Sequence, residues 1–162
     1  MLDKTIIALN PLKFKELMSY QCSSVAIVSA SESGSFVGLT VSSFQAVSID
    51  PPTVLFVLSK LSSSLAVIRA QKEIGISLLG ADQREIGARY STKGSTRFSK
   101  GEFFVGPNGI PLIDGAIFNL TVSIDSILTQ AVSEIFIGKV VWARVGEARM
   151  PLRYWRREFL LG

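Results

Sequence analysis

The 162-residue sequence predicts a mainly β domain, a β-barrel with a few short accessory helices. Three observations carry this. Strand-like segments outnumber helical ones, they follow one another at short spacing, and the helical patterns are too few and short for a regularly alternating βαβ sheet. The length predicts one domain spanning residues 1–162, and 48% hydrophobic with 19% charged residues suits a globular chain.

Asn10 and Pro11 open a helix, as cap and first position, with Phe14, Leu17 and Met18 on one face and Lys13, Lys15 and Glu16 toward water, ending near Tyr20. Ser24 to Ser29 is too continuously apolar for a one-sided strand and predicts a buried one. The turn-rich Ser31 to Ser35 then makes it a hairpin with Phe36 to Thr40. Asp50, Pro51 and Pro52 form a rigid stop before a buried strand over Thr53 to Leu58. A hydroxyl of Ser62, Ser63 or Ser64 caps a short helix to about Lys72, and Ile74 to Leu79 is the next strand. Ile86 and Tyr90 share one face of a helix over Asp82 to Tyr90, whereas Ser91 to Lys100 is polar and aperiodic, a loop. Phe118, Leu120, Val122 and Ile124 alternate with Asn119, Thr121, Ser123 and Asp125, the pattern of a strand with one solvated face. Ile135 to Val145 and Leu152 to Phe159 continue the β character.

Composition removes several function classes. The chain has no histidine, which excludes Ser-His-Asp hydrolysis, His-ligated zinc and His-driven acid–base chemistry. Its one cysteine, Cys22, cannot form an internal disulfide, and no signal-type N-terminus is present, so a reducing cytoplasm is expected. The longest apolar run, Val54 to Leu58, is far short of the roughly 18 residues of a membrane-spanning helix. Asn119-Leu120-Thr121 matches a glycosylation sequon but lies inside a strand of a chain without a secretory signal. No phosphate-loop, dinucleotide, nucleophile-elbow or dithiol signature occurs.

Two hydroxyl-rich clusters remain, Gly38 to Phe44 at a strand end and Ser59 to Ser64 between a strand and a helix, neither with a general base. The second suits a phosphate, because free N–H groups at a helix start are extended by hydroxyls and Lys60. The structural alternative stays open, since serine is also a favoured cap and turn former. Arg144, Arg149, Arg153, Arg156 and Arg157 concentrate the net charge of +4 and read as a solvated strand edge or as partners of an anionic ligand.

In order, Gly38-Leu39-Thr40-Val41-Ser42-Ser43-Phe44, Ser48-Ile49-Asp50-Pro51-Pro52, Ser59-Lys60-Leu61-Ser62-Ser63-Ser64, Arg97-Phe98, Gly138 and Pro151-Leu152 resemble the flavin reductase family with the FMN-binding split-barrel fold. These are the reductase components of two-component flavin-dependent monooxygenases. The resemblance implies an NAD(P)H:flavin oxidoreductase that reduces FMN or FAD with NADH or NADPH and supplies a separate monooxygenase, working as a homodimer. It further implies that Thr40, Val41, Ser42 and Ser43 line the flavin ring and that Ser59, Lys60, Ser62 and Ser64 hold the phosphate. Ser133 would border the nicotinamide, and Arg97 would reach the second nucleotide. Where the family has a Gly-Asp-His stretch, this chain has Ala131, Val132 and Ser133, so Ser133 takes the histidine's place. Two other readings stand beside this one. A flavin carrier or sensor without reductase activity is suggested by Ser133, and a nucleic-acid-binding barrel by the pI near 9.4, although interleaved basic and aromatic residues are lacking.

Overall fold

The computed structural model describes residues 9–147 and 149–160. In chain order the elements are α1 (Pro11–Met18), β1 (Ser23–Ser24), β2 (Ala26–Glu32), β3 (Ser35–Val41), β4 (Gln45–Ser48), β5 (Thr53–Ser59), α2 (Leu65–Ala70), β6 (Glu73–Leu78), α3 (Arg84–Ser91), β7 (Phe103–Val105), β8 (Pro111–Ile113), β9 (Phe118–Gln130), β10 (Ser133–Val145), β11 (Arg153–Trp155) and β12 (Glu158–Leu160). Seven strands form an antiparallel sheet in the order β3-β2-β6-β9-β10-β5-β4, beside a three-stranded sheet β1-β11-β12 and the β7-β8 hairpin.

β3 and β4 are the edges of the large sheet, yet buried residues from β2, β3, β5, β6, β9 and β10 share one cluster. The sheet therefore curls around a common interior, as the expected barrel requires. Ser42 to Phe44 cross between the two edge strands. Ser43 fastens this crossing to β5, its hydroxyl donating to the Val57 carbonyl at 3.1 Å and accepting from the Val57 N–H at 2.9 Å. The bend of β9 against β10 falls at register shifts, one between Ile137 and Gly138. A Cβ on Gly138 would lie 2.4 Å from the Ser123 carbonyl oxygen, so only glycine fits this bulge without movement.

The continuous apolar run before the first hairpin is buried on both faces. Ala26, Val28 and Ala30 enter the barrel interior, and Val25 and Ile27 join an outer cluster with Leu79, Tyr90, Ile113, Ala116 and Leu152. The β9 alternation behaves differently from expectation. Its polar face is solvated only toward Asp125, because Asn119 and Thr121 are buried beside their β6 partners Ser77 and Gly75. β8 covers β6 there, and the Ser77 hydroxyl accepts the Ile113 N–H at 3.0 Å.

Other local features also depart from the sequence expectation. Asn10 does cap α1, its side chain accepting from the Lys13 N–H at 2.9 Å, but Phe14, Leu17 and Met18 are exposed rather than packed in a core. Ser64 occupies the cap position of α2 in a helical conformation and makes no side-chain cap bond. β4 lacks a hydrophobic alternation and is held as a strand by pairing with β5. The C-terminal strand is a hairpin turning at Arg156 and Arg157.

Phe56 and Phe136, cross-strand partners in β5 and β10, stack at 4.9 Å and 7° in the barrel centre with 1% and 0% exposure. Phe136→Ala is expected to lower the unfolding free energy by about 3–5 kcal/mol in a urea titration. A second prediction concerns pH. The Tyr90 hydroxyl accepts the Phe98 N–H at 2.7 Å and donates to Glu102 at 3.3 Å, and burial pushes its pKa above the ordinary tyrosine range. Folding thus favours the protonated phenol, so this contribution is fully present below the unfolded-chain value of about 10 and declines as pH rises above it. Chemical denaturation between pH 8 and 11 should show a stability loss above about pH 10 that is smaller in Tyr90→Phe.

Candidate functional site

A cavity of about 560 Å³ opens at the rim of the barrel where β3 and β5 end and β10 begins. It is lined by Leu39, Thr40, Val41, Ser42 and Ser43 from β3 and the crossing after it, by Val57, Leu58, Ser59, Ser62 and Ser63 from β5 and the loop after it, and by Tyr90, Lys93, Arg97 and Ser133. The two hydroxyl clusters, 15 or more residues apart in sequence, thus face one space. Ser133 reaches it because it is the cross-strand partner of Ser59.

Hydrogen bonding divides the hydroxyls into two kinds. Thr40 donates to the Gly87 carbonyl at 2.7 Å and Ser43 to that of Val57. Their protons are committed to the fold. Ser59 instead accepts the Leu61 N–H at 3.2 Å, and Ser62 accepts the Ser64 N–H at 3.3 Å. A hydroxyl that already accepts keeps its proton to donate, so Ser59 and Ser62 are poised toward an anion.

The charge comes from the loop after α3. Arg97 donates to the Gly38 and Thr92 carbonyls, the latter at 3.1 Å, and lies 3.4 Å from the Ser64 hydroxyl. All these partners are neutral, and its Nε is buried without a partner. Arg97 and Lys93 are the charged residues among those lining the cavity, with no carboxylate beside them. A cationic, hydroxyl-rich wall next to apolar Leu39, Val41, Val57 and Leu58 fits a planar apolar body carrying a phosphate.

Gly38 makes this placement possible. A Cβ there would lie 2.7 Å from Phe98 Cζ and 3.2 Å from Tyr90 Cε1. Phe98 cannot easily yield, being packed edge-on against Phe36, Tyr90 and Phe103 with ring centroids 5.2–5.8 Å apart. Its backbone has φ +57°, a strained region for a bulky residue, compensated by the bond to Tyr90. Arg89 pairs with Glu102 and ties the far end of the loop to α3.

Most of the expected site residues therefore meet in one cavity, with two adjustments. Lys60 does not line it. Its ammonium donates to the Ala131 carbonyl at 2.7 Å and its N–H to that of Val132 at 2.9 Å, clamping the β9–β10 turn that carries Ser133. Ser64 is 4% exposed and acts through its contact with Arg97. Sequence reasoning did not single out Tyr90, Ser91 and Lys93 as lining residues, and Arg97, expected to reach the second nucleotide, lies beside the Ser64 hydroxyl. A lysine four residues before an arginine in an aperiodic loop was the available signal.

Comparison with known proteins agrees with this geometry. The family described as flavin reductase like domain matches residues 18–160. The chain is 32% identical to the NADH:riboflavin 5'-phosphate oxidoreductase of Streptomyces pristinaespiralis, over 94% of this chain and 88% of that one. It is 26% identical to a flavin-dependent monooxygenase reductase subunit of Rhodococcus jostii, over 94% and 78%. The crystal structure of a flavin reductase domain protein from Arthrobacter superposes with a TM-score of 0.89 at 27% identity, covering 94% of this chain and 96% of the other. With a family match across nearly the whole chain and a barrel shared with a solved member, the protein belongs to the flavin reductase-like domain family.

Proposed function

We propose that the protein is a flavin reductase that takes hydride from NADH or NADPH and delivers reduced FMN or FAD to a separate flavin-dependent monooxygenase. The observation that carries this reading is the cavity wall, apolar on the strand side and cationic with free hydroxyl protons on the loop side. The printed activities of the relatives support it.

When bound, the flavin supplies the hydride-accepting ring and the nicotinamide the hydride, one hydrogen moving with two electrons. The chain supplies position and electrostatics. Ser59, Ser62 and Arg97 hold the phosphate, Arg97 through the charge that no carboxylate in the cavity offsets, and Lys93 adds a second positive charge at the rim. Thr40, Val41, Ser42 and Ser43 form the ring's wall, kept rigid by the bonds to Gly87 and Val57 so that little ordering is required on binding. Ser133 lines the cavity from β10, where it would border the nicotinamide, held in place by the Lys60 clamp on its turn. The absence of histidine is compatible with this division of labour, because no protein group has to carry the hydride.

The protein works in this reading as one cytoplasmic domain and as a homodimer. The unpaired Cys22 supports the reducing compartment, and exposed Leu12, Ile49 and Val132 support a subunit contact. Among the described residues no helix is long and apolar enough to cross a membrane.

Anaerobic mixing of the protein with FMN and excess NADH or NADPH should bleach the flavin's visible absorption with multiple turnovers. FMN that binds but stays oxidised with both donors contradicts the reductase reading and supports the carrier alternative that Ser133 suggests. Arg97→Gln should raise the FMN dissociation constant about 10–100-fold while leaving riboflavin, which lacks the phosphate, within about threefold. Equal losses for both flavins would remove Arg97 from the phosphate site.

A further inference from the structure

Glu134 is the one buried acidic residue among the described residues, with 3% exposure. It lies two residues before Phe136, on the face of β10 that enters the barrel, and its cross-strand partner in β5 is Leu58. One carboxylate oxygen accepts from the Arg69 guanidinium of α2, and the other is buried without a partner. A carboxylate taken out of water with one oxygen unmet carries a cost that an apolar residue at this position would avoid. Its presence points to a geometric role rather than a stabilising one.

That role follows from what Arg69 holds. α2 has six residues, too short to stand as a helix on its own, and Ile68 is its one fully buried residue. Ser64 gives it no side-chain cap bond, and the Ser64 hydroxyl contacts Arg97 instead. The seat of α2 on the barrel therefore rests on Ile68, with Leu65 and Val67 partly buried beside it, and on the Arg69–Glu134 ion pair. Apolar packing is non-directional, whereas a charge-assisted hydrogen bond fixes a distance and an angle. The ion pair thus sets where the helix sits against β10.

The start of the same segment is fixed to the same turn, where Lys60 donates to the Ala131 and Val132 carbonyls. Residues 131, 132 and 134 therefore anchor the chain from Lys60 to Arg69 at both ends, and Ser133 between them lines the cavity. Ser62 and Ser64 lie on the stretch between the two anchors, and Ser64 passes the constraint to Arg97 at 3.4 Å. The wall proposed for the flavin ring is fastened separately. Thr40 is bonded to Gly87 and Ser43 to Val57, contacts that do not pass through α2.

We propose that Glu134 is a positioning residue for the flavin phosphate: by holding Arg69 it seats α2 and sets the separation of the Ser62 hydroxyl from the Arg97 guanidinium to suit one phosphate group. A shift of about 1 Å in such a wall is enough to weaken binding. The proposal rests on the reading of this cavity as a flavin site, and it adds a residue that does not itself line the cavity. Glu134 governs affinity for the phosphorylated flavin and leaves riboflavin affinity and turnover at saturating flavin unchanged.

Equilibrium titration with FMN and with riboflavin would compare wild type, Arg69→Ala, Arg69→Lys, Glu134→Gln and the Arg69→Ala/Glu134→Gln double variant. Steady-state NADH oxidation would give kcat and the KM for FMN. The Arg69 side chain is 55% exposed, so its variants break the ion pair without opening the core. Arg69→Ala and Glu134→Gln should each raise the FMN dissociation constant and KM about tenfold, with riboflavin affinity and kcat within about twofold of wild type. Arg69→Lys should recover part of the loss, and the double variant should be no weaker than the worse single one. Unchanged FMN affinity in both single variants, or equal losses for FMN and riboflavin, overturns the proposal. Wild type that binds FMN no more tightly than riboflavin overturns the phosphate wall and the role of Glu134 with it. Wild type that prefers FMN but does not bleach it with NADH or NADPH overturns the reductase reading alone, and the titrations still decide Glu134.

Discussion

The cationic wall of the proposed flavin cavity depends on a missing side chain. Because Gly38 has no Cβ, the Phe98 ring can lie directly against β3, closer than any substituted residue would allow. The ring is then wedged among Phe36, Tyr90 and Phe103, and the residue before it, Arg97, is delivered to the Gly38 carbonyl and the Ser64 hydroxyl. A local steric fact in one strand thus sets the position of a charge contributed by a loop some 60 residues later. The left-handed backbone at Phe98 and the buried phenol of Tyr90 are costs met inside the same aromatic cluster.

In the proposed flavin site the hydroxyls differ in which protons are free. Thr40 and Ser43 spend theirs on backbone carbonyls and become part of the scaffold, whereas Ser59 and Ser62 accept backbone N–H groups and retain theirs. Residues of one chemical type, adjacent in the same rim, thereby take opposite roles. Rigid walls and preplaced charge lower the ordering cost of binding, which matters for a protein whose chemistry resides in its cofactors. Lys60 follows the same logic at one remove, fixing the turn before Ser133 rather than touching the cavity.

What the sequence made legible was local. The barrel's strands followed from apolar continuity and spacing, and β2 was readable as buried because Val25 to Val28 leave no polar face. The first helix was readable from Asn10 and Pro11. The failures share a cause, a partner distant in the chain. Asn119 and Thr121 have the alternation of a solvated face, and only the arrival of β8 over the sheet buries them. Ser64 had the composition of a cap, yet Arg97 from the loop claims it. Lys60 sat in a phosphate-like cluster, but the nearest acceptors after folding are the carbonyls of the β9–β10 turn. Lys93 and Arg97 lay in a segment without periodicity, where residue spacing carries no information about direction. β4 exists only because β5 is beside it.

The claim that Gly38 places Arg97 is tested most directly by a double-mutant cycle on FMN affinity. Gly38→Ala, Arg97→Gln and the double variant would be titrated with FMN under conditions where circular dichroism shows all of them folded. If the contact with Phe98 acts by positioning Arg97, Gly38→Ala alone should weaken FMN binding at least tenfold, and the double variant should be little weaker than Arg97→Gln alone, within about twofold. Losses that simply add, or a Gly38→Ala protein with wild-type FMN affinity, would contradict the account.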